Sequence, residues 1–309
     1  MKGSYDFMSN LLTIFISSVS QGLLWSLLAI GVFLTYRILD IADLTTEGSF
    51  PLGAGIAAVS ITQGISPILA SLLGFLGGVV AGFISGILHT KLKIPALLAG
   101  IITMTGLYSI TSRIMNAPNI TLIGQKTFFS WLQPLGLTKT NTIILAGLLI
   151  VLIVILALVL FFRTEVGLAI RSTGDNLEMS EANGINTDNM KMIGYMISNG
   201  CISLAGALLA QNNGFADVNS GIGTIVIGLA SIIIAEVLFR NKPLPIRLAT
   251  IVLGAIIYRF ILALVFELNI PSDYSKLASA LVLVVCLSLP QLRKKLSLKQ
   301  PTIKGGAGK

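Results

Sequence analysis

Apolar residues along this chain form long runs separated by short polar stretches. The runs number about nine, at 10–36, 46–63, 66–90, 94–114, 141–162, 189–212, 221–239, 246–268 and 273–290. A bilayer core of roughly 30 Å requires about 20 apolar residues per helical span. The pattern therefore predicts an all-α integral membrane protein with about nine transmembrane helices.

The composition supports this prediction. The chain is 54% hydrophobic and only 11% charged, whereas a soluble domain carries about 25% charged residues. We therefore expect a single transmembrane domain over residues 1–290, followed by a basic cytoplasmic tail over residues 291–309. The net charge of +8 is explained by basic cytoplasmic loops and this tail, so no nucleic-acid partner is expected. The tail is expected to be attracted to anionic membrane lipid.

The distribution of lysine and arginine predicts the orientation. When the polar loop at about 163–190 is placed in the cytoplasm, most of the 21 basic residues fall on the inner side. The outer side receives only Lys2, Arg113, Lys126, Lys139 and Lys276. Because cytoplasmic loops are enriched in basic residues, we expect the N-terminus outside and the C-terminus inside.

The third apolar run carries a glycine at every fourth position, namely Gly74, Gly78, Gly82 and Gly86. Residues four apart lie on one face of a helix, and a face of small residues lets another membrane helix approach closely. We interpret these glycines as a helix-packing face.

A polar stretch, GLAIRSTGDNLEMSEANGIN, occupies positions 167–186 in the middle of the chain. Asp175 is predicted to cap a helix with Glu178 three residues on, and Gly184 to close it in a left-handed conformation. The alternative is a solvated loop with one helical turn. A helix of about two turns is marginal in water, so it would need a packing partner.

This stretch resembles the cytoplasmic loop of ABC importer permeases of the branched-chain amino acid and ribose type. The residues that match the pattern of that family are Gly167, Ala169, Ile170, Arg171, Gly174, Asn176, Gly184, Ile185 and Asn186. Ser172 and Ser180 replace alanines that are usual in the family. The similarity extends over about residues 10–290. The stretches LTTEGS and HTKLKIPALLAGIITMTGLYSI look closest to a single-permease subgroup linked to tryptophan and tyrosine uptake in Firmicutes.

The resemblance implies a multi-pass protein of the bacterial plasma membrane that moves a small solute inward by alternating access. It implies two copies of the permease, two separate ATPase subunits and an external substrate-binding lipoprotein. ATP and Mg²⁺ would be bound by the ATPases, and this chain would bind no cofactor or metal and catalyse no reaction. A single type of permease favours a homodimer.

The same resemblance places a helix of the polar loop in a cleft of the ATPase. The residues expected to contribute to this coupling are Arg171, Asp175, Asn176, Leu177, Glu178, Met179, Glu181, Asn183 and Gly184.

Polar side chains inside spans are costly and indicate functional sites. The candidate pathway residues are Thr45, Thr46, Glu47, Ser49, Asn199 and Arg259. Pro51 and nearby glycines predict a kinked or broken second span, which is tolerated where a helix lines a cavity. For Glu47 the alternatives are solvation at the cytoplasmic end or pairing with Arg37. For Arg259 they are an acid on another helix or a substrate carboxylate.

Two further predictions concern a pair of charges and an outer loop. Glu236 precedes Arg240 by four residues, which favours an ion pair along one helix. The outer loop at about 115–140 is expected to form either a short interfacial helix or a docking surface for an external partner.

An ion- or proton-coupled secondary carrier is the alternative function. It would require several acids deep in the membrane or a histidine relay, but Glu236 and Glu267 lie near span ends and His89 is the only histidine. It would also leave the central polar loop unexplained.

Overall fold

The computed structural model describes residues 2–131, 138–239 and 242–267, together with 277, 280–285 and 288. Its helices are α1 (Lys2–Phe33), α2 (Thr46–Thr62), α3 (Pro67–Thr90), α4 (Ala96–Met115), α5 (Phe128–Trp131), α6 (Lys139–Phe161), α7 (Glu165–Asp175), α8 (Leu177–Ala182), α9 (Thr187–Asn213), α10 (Thr224–Leu238) and α11 (Leu244–Glu267). A π-helical turn, Leu34–Ile38, extends α1, and a 3-10 turn, Val218–Gly221, precedes α10.

Seven helical segments of the described ranges are long and apolar enough to cross a membrane. They correspond to α1 with its π turn, α3, α4, α6, α9, α10 with the preceding 3-10 turn, and α11. The predicted second span is α2, which has only 17 residues and contains Pro51. Of the predicted ninth span, 273–290, the structure describes only residues 277, 280–285 and 288. The described part of the chain thus forms a multi-pass helical bundle with seven candidate spans, and the number of nine stays a prediction.

α9 is the central helix of the bundle, because α1, α2 and α3 all pack on it. Within its most hydropathic window 72% of the residues are buried, against at most 50% in the other candidate spans. The side chain of Asn186 caps its first turn by accepting from the Asn189 amide at 3.1 Å. Gly214 ends it with φ of 80°, a conformation that glycine adopts without strain.

The glycine face of α3 packs on α9. A Cβ added at Gly78 would lie 2.3 Å from the Asn199 carbonyl oxygen, and one at Gly82 would lie 2.3 Å from that of Tyr195. Gly74 and Gly86 face the same helix. Only glycine lets the two backbones come this close.

The two ends of α9 carry different connecting structures. α7 and α8 precede its first residue, and we call this the α8 end. At the opposite end, strands β1 (Asn119–Thr121) and β2 (Phe215–Asp217) form an antiparallel pair in which Ile120 lies opposite Ala216. This small sheet, which the all-α prediction did not include, accompanies the one-turn helix α5; we call this the β end.

Candidate coupling and translocation site

α7 and α8 form a helical unit between the spans α6 and α9. α7 follows Thr164, whose hydroxyl accepts from the Gly167 amide at 3.3 Å. α8 follows Asn176, whose side-chain oxygen accepts from the Met179 amide at 2.9 Å. The prediction that Asp175 caps α8 is therefore wrong, because Asp175 is the last residue of α7. Asn176 has the extended backbone that an N-cap needs, with φ of −156° and ψ of 107°.

The end of α8 is closed by Gly184, whose φ is 78°. The Gly184 amide donates to the Glu181 carbonyl at 2.9 Å, and the Ile185 amide donates to the Ser180 carbonyl at 3.1 Å. These bonds satisfy carbonyls that the short helix leaves without intrahelical partners. The chain therefore forms a defined helix here rather than a solvated loop.

The outer surface of α8 carries exposed apolar side chains. Leu177 is 38% exposed and Met179 56% exposed, and the neighbouring Glu178 is also exposed. A groove of about 280 Å³ separates α7 from α8 and is lined by Leu168, Arg171, Ser172, Asp175, Asn176 and Met179. Most of the predicted coupling residues therefore share one solvent-accessible surface.

Two of the predicted coupling residues bond within the unit. Glu181 accepts from the Thr187 hydroxyl at 2.8 Å, which ties α8 to the start of α9. The side chain of Asn183 donates to the Met179 carbonyl at 2.7 Å. These two side chains shape the unit as well as being exposed.

α7 packs directly on the π turn that extends α1. A Cβ at Gly174 would lie 1.7 Å from the carbonyl oxygen of Ile38, the last residue of the π turn. Ile170 is 1% exposed and belongs to the main hydrophobic core. Displacing α7 would therefore displace the end of α1 as well.

A buried polar cluster follows this π turn. Near the middle of α9, the Asn199 amide donates to Asp43 Oδ2 at 2.8 Å and its oxygen accepts from Ser49 Oγ at 2.7 Å. The Thr45 amide donates to Asp43 Oδ1 at 2.9 Å, and the Thr45 hydroxyl donates to Ser85 Oγ at 2.8 Å. The cluster joins the start of α2 to α3 and α9.

The Asp43 carboxyl is the only acid of this cluster. Burial raises its pKa, and hydrogen bonds from Thr45 and Asn199 act in the opposite direction. The pattern of apolar runs does not single out Asp43, because this residue lies between two of them. The spacing of Asp43 and Thr45 is that of an Asx turn, in which a side chain accepts from the amide two residues on. This spacing is the one sequence signal that could have indicated Asp43.

The polar pathway residues are mostly engaged in this cluster. Thr45, Thr46, Ser49 and Asn199 are each 0% exposed, and Thr46 donates to the Asp43 carbonyl at 3.0 Å. In this conformation their side chains bond to protein groups rather than lining open space. Lining a route would require the cluster to separate.

The charged candidates are paired differently from the expectation. Glu47 accepts from the Gly223 amide at 2.9 Å, whereas Arg37 binds Glu236 with both carboxylate oxygens engaged, Nε to Oε1 at 2.8 Å. The interpretation that Glu47 pairs with Arg37 is therefore wrong. Arg247 also reaches Glu236 Oε1, at 3.3 Å. This ion cluster connects the π turn of α1 to α10 and α11, and Arg240, the partner predicted for Glu236, lies outside the described residues.

Arg259 of α11 contacts an aromatic pair. Its guanidinium carbon lies 4.3 Å from the centre of the Trp25 ring of α1. Trp25 in turn stacks on Phe50 of α2, with ring centres 5.4 Å apart. Among the residues that the structure describes, none of the ion pairs includes Arg259.

Comparison with known proteins identifies the family. Residues 14–287 match the family described as branched-chain amino acid transport system / permease component. The chain belongs to this permease family. The membership confirms the expectation of an ABC importer permease in the plasma membrane, and it disfavours the ion-coupled carrier.

The relatives of this permease include transporters for different solutes. It is 42% identical to a tyrosine transport system permease protein of Clostridioides difficile, over 94% of this chain and 95% of the relative. It is 30% identical to an autoinducer 2 import system permease protein of Yersinia enterocolitica, over 84% of this chain and 69% of that protein.

A solved structure shares the fold. The permease resembles a metal-chelate type ABC transporter in an inward-facing conformation with a TM-score of 0.52. The match has 13% sequence identity and covers 91% of this chain and 85% of that one. At this identity the likeness concerns the fold alone.

Proposed function

We propose that this permease moves an aromatic amino acid into the cell, as one of two identical membrane subunits driven by separate ATPases. The identity of 42% to a tyrosine transport permease, over nearly the full length of both chains, supports the substrate class. An external lipoprotein would deliver the substrate. ATP and Mg²⁺ would bind to the ATPases, and the chain would lie with its N-terminus outside and its C-terminus inside.

The observation that carries the coupling part of the proposal is the exposed surface of α8. Leu177 and Met179 lie outside all candidate spans yet keep 38% and 56% of their surface accessible. Apolar side chains beside a groove are typical of a protein contact. We therefore assign this surface to the ATPase.

The contacts of α7 supply a route for the coupling. A displacement of α8 would move α7, and Gly174 of α7 lies against the Ile38 carbonyl. From this π turn, Arg37 leads to Glu236 of α10, and the following segment leads through Asp43 to Asn199 of α9. An element with two discrete packings can pass an ATPase state to the membrane helices in this way.

The test of the coupling surface uses substitutions that keep α8 folded. Met179→Asp together with Leu177→Ser removes the apolar contact but leaves the Asn176 cap, which uses the Met179 backbone amide. We expect association with the cognate ATPase to weaken on the order of tenfold or more, with loss of ATP-dependent uptake in proteoliposomes. The control is Glu165→Lys, which changes an exposed residue at the far end of α7.

The outcomes of that experiment separate the parts of the proposal. Wild-type permease that never associates with an ATPase would contradict the importer function. Wild-type association that the α8 substitutions leave intact would contradict only the coupling assignment. For the substrate, binding of tyrosine and tryptophan to the purified lipoprotein is the direct measurement.

A further inference from the structure

Arg259 carries a positive charge within the membrane-spanning part of α11. It lies roughly 12 Å along the helix axis from the C-terminal end of α11 at Glu267. A charged side chain at such depth is costly against lipid. The Arg259 residue keeps part of its surface accessible, whereas its Nε is buried.

The packing of α1 on α11 fixes the position of Arg259. A Cβ at Gly22 would lie 2.7 Å from the Ile256 backbone, so the two helices touch beside the Arg259–Trp25 contact. Phe15 contacts Phe260 with ring centres 5.7 Å apart. These contacts hold the guanidinium against the ring of Trp25 in this conformation.

Two buried donors at this contact have no acceptor. Trp25 Nε1 and Arg259 Nε are both inaccessible and make no hydrogen bond. Both groups can only donate, and a buried donor without a partner is destabilising. A carboxylate that enters when α1 and α11 separate has the lone pairs to accept from both donors and the charge to neutralise Arg259.

The aromatic part of the contact has its own preference. Trp25 and Phe50 stack with an interplanar angle of 19°, and Trp25 is only half-buried. Aromatic rings pair favourably with one another, so another ring can contact the accessible part of Trp25. A ligand with a carboxylate and an aromatic ring would satisfy the donors and extend the stack.

We infer that Arg259 and the Trp25–Phe50 pair form a subsite for the transported aromatic amino acid. In a conformation that opens the contact between α1 and α11, Arg259 and the Trp25 indole N–H bind its carboxylate, and the paired rings contact its side chain. This inference rests on the proposed function and assigns the substrate a contact inside the permease. The competing explanation is a structural stack that only fastens α1, α2 and α11 together.

The chain provides its own reporter for the test. It contains two tryptophans, Trp25 and Trp131, and Trp131 is exposed on α5. In the Trp131→Phe variant, indole fluorescence reports on Trp25 alone. The full-length permease in nanodiscs is titrated with L-tyrosine, with hydroxyphenylpropionate, which lacks the amine, and with tyramine, which lacks the carboxylate.

We expect tyrosine and hydroxyphenylpropionate to change the Trp25 emission in a saturable manner, and tyramine not to. Arg259→Gln should weaken binding of both carboxylates on the order of tenfold to a hundredfold, and Arg259→Lys, which keeps the charge, should weaken it less. The control Arg113→Gln removes an exposed arginine at the end of α4 and should bind like the parent.

Equal responses to tyrosine and tyramine would overturn the subsite, as would no response to any ligand or unchanged binding by Arg259→Gln. The same variants are then assayed for ATP-dependent tyrosine uptake with the ATPase and the lipoprotein. Wild-type uptake that Arg259→Gln leaves unchanged contradicts the subsite alone. Absence of uptake by the wild type contradicts the proposed function instead.

Discussion

Gly78 and Gly106 are both helical glycines, but their surroundings differ. A Cβ at Gly78 would lie 2.3 Å from the Asn199 carbonyl oxygen, whereas a Cβ at Gly106 of α4 would have no atom within 4 Å. The pair therefore separates the effect of a methyl group on helix propensity from its effect on packing.

Gly78→Ala is predicted to destabilise the permease, and Gly106→Ala is not. Both substitutions gain up to about 1 kcal/mol of helix propensity, but at Gly78 the methyl forces α3 and α9 apart at a cost of about 1–3 kcal/mol. The thermal midpoints of the two purified variants, compared with wild type, measure the difference. Equal midpoints would show that α3 does not pack on α9 through this face.

At this scale the sequence predicted the residues whose signal is periodic and missed those whose signal depends on another element. The spacing of the α3 glycines was sufficient to predict a packing face. Asp43, by contrast, acquires its environment only when Asn199, which is 156 positions away in sequence, arrives beside it. The same dependence explains why the sequence does not indicate the pair of Arg37 and Glu236, which are 199 positions apart.

Two serines of the α7–α8 unit contact each other. The hydroxyl oxygens of Ser172 and Ser180 lie 2.7 Å apart. Ser180 is 0% exposed, and its hydroxyl donates to the Asn176 carbonyl at 2.8 Å. The two serines thus link α7 to α8 across the groove.

Replacing both serines with alanine is predicted to cost less than the sum of the single replacements. Ser180→Ala leaves Ser172 without this partner, at about 0.5–1.5 kcal/mol, whereas the double variant leaves neither hydroxyl unpaired. A double-mutant cycle on thermal stability should give a coupling of at least about 0.5 kcal/mol. Strictly additive effects would mean that the two hydroxyls do not interact.

Element types were predicted more reliably than their ends. The apolar runs predicted α1, α3, α4, α6, α9, α10 and α11, because a helix that can cross a membrane is recognised by its length and its apolar composition. The boundary at Asp175 was missed because capping depends on one backbone angle, and Asn176 competes for the same role. The β1–β2 pair, with strands of three residues from distant loops, has no periodicity long enough to detect.

At the scale of the whole molecule, the two ends of the bundle have different surfaces. The α8 end exposes the α7–α8 groove, and the β end exposes Ile123, which is 86% accessible. The two ends lie at opposite termini of α9, so they must be on opposite sides of a membrane that α9 crosses. The charge distribution predicts that the α8 end faces the cytoplasm.

Single cysteines at the two ends test this orientation. The two native cysteines, Cys201 and Cys286, are first replaced by serine, and Met179→Cys or Ile123→Cys is then introduced. On intact cells a membrane-impermeant maleimide should label Ile123→Cys at once, because this residue lies at the β end, which is predicted to face the outside of the cell. Met179→Cys should react only after the membrane is opened, because α8 must be in the cytoplasm to meet an ATPase. The reversed pattern would place α8 outside the cell, where no ATP is hydrolysed for transport, and would contradict both the orientation and the coupling role of α8.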